Sequence, residues 1–181
     1  MIRGERVVLR PFRPQDAQAI DKWIGNEEIT RYLGFLMFPQ SSAETAEFVE
    51  SQLHHNRSRS NCVLAIAMAD DPNLDYVGAI GLHKIDWRSR NAELGIVIGR
   101  EDLLSQGIGS EAIRSILDYG FNFLGLHKVY LTVFEYNARA IRCYTKCGFI
   151  EEGRLREQRF YSGRFYDVLI MGMTEHEYRN L

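Results

Sequence analysis

The sequence predicts an α+β fold: one mixed sheet with helices laid on it. Two observations carry this prediction. Three strand-length apolar runs follow one another between residues 62 and 98 with only turns between them, which is a meander and not regular βαβ winding. After them, helix-period and strand-period segments alternate twice before a final pair of strands. The 181 residues, 45% hydrophobic and 25% charged, suit a single domain, 1–181, with a sizeable core. There is no repeat, low-complexity tract or linker.

In order, Arg6–Arg10 alternates as an edge strand. Pro14 and Asp16 start a helix reaching about Ile24, and Asn26–Leu33 is a short second helix. Gly34–Gln40 is a loop carrying Phe35, Leu36, Met37 and Phe38. Ser41 or Ser42 caps a helix through about His55, with Ala46, Val49 and Leu53 on its apolar side. Cys62–Met68 and Tyr76–Ile85 are strands about the Asp-Asp-Pro-Asn turn, and Ala92–Ile98 is the next strand. The helix Ser110–Leu124 aligns Ile113, Ile116, Leu117, Phe121 and Leu124, and Gly125 ends it. Lys128–Phe134 is a strand. Asn137 caps the helix Ala138–Cys147, which Gly148 closes. Glu151–Tyr161 and Phe165–Met173 are the last strands, bringing the count to seven.

Composition removes several functions. The formal net charge of −2 supplies no global basic field, so no nucleic-acid partner is expected. No apolar run is long enough to span a bilayer, and MIRGERVVLRPF lacks the apolar core of a signal peptide, so no membrane partner is expected. Cys62, Cys143 and Cys147 leave an odd thiol and no disulfide framework, which fits a reducing cytoplasm. Cys143 and Cys147 lie one helical turn apart, but no second pair or histidine cluster completes a site, so no metal is expected. His54, His55, His83, His127 and His176 show no paired arrangement either.

The most informative stretch is AELGIVIGREDLLSQGIGSEA, residues 92–112: a strand, a polar loop, then Gly107-Ile108-Gly109-Ser110 opening a helix. Such a start offers free backbone N–H groups and the positive end of a helix dipole, which suits a phosphate or pyrophosphate. A P-loop requires Gly-Lys-Ser/Thr, yet Gly109 is followed directly by Ser110. Gly107, Gly109 and Ala112 match G-x-G-x-x-A. A dinucleotide fingerprint, however, needs its glycines immediately after the strand, and Gly99–Gln106 intervenes.

The chain resembles the GNAT acyltransferase superfamily. The resemblance rests on four segments in order, ELGIVI, SQGIGSEAI, KVYLTV and NARAIRCYTKCGF, and on the ends LRPF and RLREQRFYSGRFYDVLIMGM. It covers nearly the whole chain and looks closest to the branch of ribosomal-protein alanine and spermidine N-acetyltransferases. It implies a mostly antiparallel twisted sheet of about seven strands and acetyl-CoA as co-substrate. It also implies two strands splaying after Glu93, with Ile96, Val97 and Ile98 pairing with the pantetheine arm. Amides of Ser105, Gln106, Gly107, Ile108, Gly109 and Ser110 would hold the diphosphate, and Asn137 would touch the arm. Arg142 and Lys146 either approach the nucleotide phosphates or form a solvated helix face. Leu104 departs from the family pattern of Gln or Arg and removes one polar contact.

Amine attack on a thioester poses two proton problems. The attacking amine must be neutral although its reference pKa is about 10.4, and the leaving thiolate, of reference pKa about 8.5, must gain a proton. Tyr144 is the expected acid at sulfur, on the resemblance; the alternative is a core tyrosine with a satisfied hydroxyl. Glu93, opening an apolar strand, is either the base or an edge glutamate paired to Arg88 or Arg90. Acceptor specificity is expected in Asn26–Gln40 and near Tyr161–Tyr166. The apolar run Phe35–Phe38 would wall a groove, form a homodimer contact or fill the core. No dense acidic cluster marks those segments. The acceptor adopted from the sequence is a protein N-terminus. The alternatives are a small-molecule amine (polyamine, amino sugar or antibiotic) and a non-catalytic acyl-CoA sensor, which Leu104 favours.

Overall fold

The computed structural model describes residues 1–34, 39–54 and 59–181. Its strands are β1 (Ile2–Arg3), β2 (Val7–Arg10), β3 (Cys62–Met68), β4 (Tyr76–Asp86), β5 (Asn91–Ile98), β6 (Lys128–Phe134), β7 (Ile150–Tyr161) and β8 (Arg164–Thr174). The helices are α1 (Asp16–Asp21), α2 (Glu27–Thr30), α3 (Ser42–His54), α4 (Ile108–Asp118), α5 (Ala138–Lys146) and α6 (Glu175–Tyr178). One sheet forms in the order β1-β2-β3-β4-β5-β6-β8-β7. All its pairings are antiparallel except β5–β6.

The sheet therefore has eight strands, one more than the sequence count. The extra strand is the two-residue β1, too short to carry a periodic signal, which pairs Ile2 with Leu9 and Arg3 with Val8. It displaces β2 from the edge. All four residues of β2 are buried, because helices cover both faces of the sheet. On one face Val7, Leu9, Ile66, Leu82 and Leu94 pack with Ile108, Ile113, Ile116 and Leu117 of α4. On the other, Phe12, Ala65 and Tyr76 pack with Ile20, Trp23, Ile29 and Val49 from α1–α3.

Burial of the second face forces Arg10 inside, at 1% exposure. Its guanidinium grips Asp16 through two 2.8 Å hydrogen bonds and donates to the carbonyls of Leu74 and Pro11. Asp16 also accepts from the Arg13 N–H at 2.8 Å. A buried ion pair is tolerated where its donors and acceptors are so widely satisfied.

Helix boundaries shift for local reasons. α4 begins at Ile108, two residues before the expected start, because Gly107 adopts φ +85° and turns the chain straight into the helix. Its last turn widens into a π turn over Tyr119–Phe123. In α3 the inner positions are Thr45 and Val49, and Ala46 is exposed; the Thr45 hydroxyl donates to the Ser41 carbonyl. α6 was not expected, although its signal is visible: Thr174 and Glu177 form a capping box. The Phe35–Phe38 run and the predicted end of α3 at His55 lie outside the described residues.

Candidate active site

β5 and β6 pair at only three positions, Asn91–Lys128, Ala92–Val129 and Glu93–Tyr130. β5 continues against β4 as far as Ile98, while β6 continues against β8 as far as Phe134. The two strands thus part after Glu93, as expected, and the edge of β5 over residues 94–98 that faces β6 has no partner strand. A cavity of about 670 Å³ occupies the fork, a size that suits a small-molecule ligand. Ile96, Val97 and Ile98 line it, as do Ser105, Gly107, Gly109, Ser110 and Asn137.

The loop before α4 is shaped by its main chain. Ser105 and Gly107 both take left-handed conformations, φ 61° and 85°. The first main-chain bond closing α4 runs from Glu111 N to Gly107 O at 3.0 Å. The N–H groups of Ile108, Gly109 and Ser110 thus open the helix with no carbonyl four residues back, and no side chain caps them. Arg6 braces the loop from outside, donating to the Gln106 carbonyl at 3.2 Å and to Glu111 Oε2 at 3.1 Å. Glu111 also accepts from the N–H groups of Arg6 and Val7, at 2.6 and 3.1 Å. Burial pushes its carboxyl up, but these donors outweigh burial and hold it below the ordinary value of 4.5.

Two residues expected in the loop contact do not line the cavity. Gln106 turns its carbonyl to Arg6 and its side chain to the Asp102 carbonyl. The Ile108 side chain is buried in the core at 2% exposure, leaving only its N–H toward the loop. Leu103 and Leu104 lie along the cavity wall.

α5 supplies the opposite wall. Asn137 caps it, its side-chain oxygen accepting from the Ala140 N–H at 3.2 Å. With that oxygen accepting the cap bond, the Nδ2 donors of Asn137 stay available to a ligand. Tyr144, two turns in, is 9% exposed and lines the cavity. Burial, followed by the neighbouring Cys143 and Cys147, raises its phenol well above the usual value, so it stays protonated. Arg139, Arg142 and Lys146 also line the cavity and add positive charge to that of the loop amides, which suits an anion.

Glu93 sits where the fork begins and, among the described residues, is the one acidic residue lining the cavity. It pairs with Lys84 Nζ at 2.7 Å, not with Arg88 or Arg90. The β4–β5 register is irregular between His83 and Asp86, and Lys84 takes φ +50° there, which brings it beside Glu93.

At the other end of the cavity Tyr32, Leu33, Gly34 and Phe134 form the lining. Behind them Tyr136 stacks on Tyr32, Phe134 and Tyr161 at 5.9, 5.4 and 5.3 Å and meets Tyr166 edge-on at 4.7 Å. The Tyr136 hydroxyl donates to the Arg31 carbonyl, and the Tyr161 hydroxyl to Glu27 Oε1. The two segments expected to bind acceptor, Asn26–Gln40 and that near Tyr161–Tyr166, therefore meet through Glu27, Arg31 and Tyr32 of the first. Sequence reasoning missed the residues that join them, Phe134 and Tyr136. Phe134 had the signal of an ordinary strand end, and Tyr136 is a single aromatic in a turn.

Comparison with known proteins places this geometry. Residues 6–150 match the family of acetyltransferase (GNAT) domains. The chain is 33% identical over 177 residues to spermidine N(1)-acetyltransferase of Vibrio cholerae serotype O1, covering 98% of each. It is 25% identical over 177 residues to a putative ribosomal N-acetyltransferase of Bacillus subtilis, covering 97% of this chain and 94% of the other. The crystal structure of the Vibrio cholerae spermidine N-acetyltransferase in complex with CoA and spermine superposes with a TM-score of 0.84 at 30% identity, covering 98% of this chain and all of that one.

Proposed function

Since the chain belongs to the GNAT acetyltransferase family and is an acetyl-CoA N-acetyltransferase, we propose that its acceptor is the primary amine of a small molecule. This replaces the protein N-terminus adopted from the sequence. The better-matched characterised relative acts on spermidine, and the similarity to it runs the full length of both chains. The observation that carries the assignment of the cleft is the fork itself: an unpaired β5 edge beside three free amides of α4, with Tyr144 in the facing wall.

The donor set fits a diphosphate-bearing thioester. Amides of residues 108–110, with Arg142 and Lys146 nearby, suit the diphosphate. The β5 edge at residues 96–98 suits the amide groups of a pantetheine arm, to which Asn137 Nδ2 donates. The amine nitrogen attacks the thioester carbonyl, and the carbon–sulfur bond breaks. Glu93, at the mouth of the fork, takes the amine's proton directly or through water. The sulfur departs as a thiolate, to which the Tyr144 hydroxyl offers a hydrogen bond. A phenol raised above its usual value does not surrender its proton fully to a thiolate of reference pKa about 8.5. Tyr144 therefore acts by hydrogen bonding to the developing charge.

The test is release of free thiol from acetyl-CoA with spermidine, an amino sugar and an alanine-terminated peptide as acceptors. The expected result is turnover with at least one small amine and little with the peptide. Faster turnover with the peptide would restore the N-terminal assignment, and binding without turnover on a broad panel would favour a sensor.

A further inference from the structure

A dithiol in the wall of the cleft has no part in the mechanism above. Cys143 Sγ lies 3.2 Å from Ser110 Oγ, on the first turn of α4. Cys147, one turn along α5, donates its S–H to the Ser110 carbonyl at 3.6 Å. Cys147 is buried, whereas Cys143 is half-buried and lines the cavity. A methyl group placed on Gly109 would lie 4.0 Å from Cys143 Sγ, so the sulfur sits beside the loop amides. Anything attached to that sulfur must project into the fork.

We propose that Cys143 is a thiolation site: it exchanges with a low-molecular-weight disulfide, and the mixed disulfide and bound coenzyme exclude each other. The proposal rests on the coenzyme reading of the cleft. In the exchange the Cys143 thiolate attacks one sulfur of RS–SR. A Cys143–SR bond forms, the RS–SR bond breaks, and the departing thiolate takes a proton from water. Cys143 is oxidised as the departing sulfur is reduced, and an added thiol reverses the step.

The surroundings favour the thiolate. The neighbouring Cys147 is the largest influence holding the Cys143 thiol below its usual value. Burial opposes it, and the Ser110 hydroxyl, Arg114 and Lys146 add to it. Of the packed elements, α4 contributes Ser110 and Arg114, and α5 contributes Tyr144, Lys146 and Cys147. β5 contributes the apolar Ile96 and Ile98. Cys62, the remaining thiol, is pushed upward by burial and serves as an internal control.

The experiment incubates the full chain with glutathione disulfide and reads intact mass and the modified peptide. One glutathione on Cys143 is expected, and acetyl-CoA at ten times its Kd should slow labelling about tenfold. The labelled protein should lose coenzyme binding by calorimetry and regain it with dithiothreitol. Cys147→Ala should shift the pH midpoint of the labelling rate upward, and Cys147→Ser, which keeps a donor, should shift it back. Labelling confined to Cys62, or labelled Cys143 with undiminished coenzyme binding, overturns the proposal while leaving the cleft assignment standing. Unmodified protein that binds no coenzyme overturns both.

Discussion

At the α4–α5 end of the cleft the groups on offer are mainly main-chain: N–H donors of residues 108–110 and the free edge of β5. At the α2 end they are side chains, a cluster of Tyr32, Phe134, Tyr136, Tyr161 and Tyr166 drawn from four separate segments. A main-chain site needs only a few residues to set the backbone, here Gly107 and the Asn137 cap. Its other positions can vary, which is why Leu104 does not disturb the fork. A side-chain site depends on the identity of every ring. On the proposed reading, the main-chain end holds the coenzyme that the family shares, and the aromatic end is where acceptor choice can differ from one relative to the next.

Four measurements would sharpen or break this contrast. The largest effect is expected at the junction of the two ends. Tyr144→Phe should lower kcat by about 10²–10³-fold while coenzyme Kd changes by less than about twofold. Equal turnover by this variant would remove Tyr144 from the chemistry. Next, Gly107→Val forces a β-branched residue into a left-handed conformation with Arg6 Nη2 3.1 Å from the new carbon. A strain of about 1–3 kcal/mol should raise coenzyme Kd about 5–150-fold and leave acceptor KM unmoved. Tyr136→Ala should do the reverse, raising acceptor KM about tenfold through lost ring stacking, with coenzyme Kd constant. If both constants shifted together in either variant, the two ends would not be separable.

The smallest effect concerns the brace beneath the loop. Glu111 is held below the ordinary carboxylate value of 4.5 in the folded chain. Its stabilising contribution is thus complete above pH 4.5 and is lost as pH falls through the lowered value. The Tm advantage of the wild type over Glu111→Gln should follow that course; an advantage unchanged down to pH 2 would show that the carboxylate is not what braces the loop.

The same division governs what the sequence revealed. Gly107 and Asn137 were legible because glycine and cap positions dictate backbone geometry locally, whereas the fork at residues 96–98 was expected from the family resemblance. The ion pair of Glu93 was not legible, since its partner Lys84 is set by an irregularity in the β4 register that no pattern announces. The aromatic cluster was hidden for a different reason. Tyr32, Tyr136 and Tyr166 are far apart along the chain and meet only once the sheet order is known. β1 escaped because two residues cannot show a period, whereas α6 was readable from Thr174 and Glu177.

The three-residue seam between β5 and β6 has a mechanical consequence. Among the described residues it is the sole hydrogen-bonded strand contact joining β1–β5 to β6–β8. A pantetheine arm lying against the open margin would extend that seam and act as a zipper across the whole sheet. Occupancy at a hundred times Kd would add about 2.7 kcal/mol of stability, felt most as slowed amide exchange along residues 94–98 and 131–134.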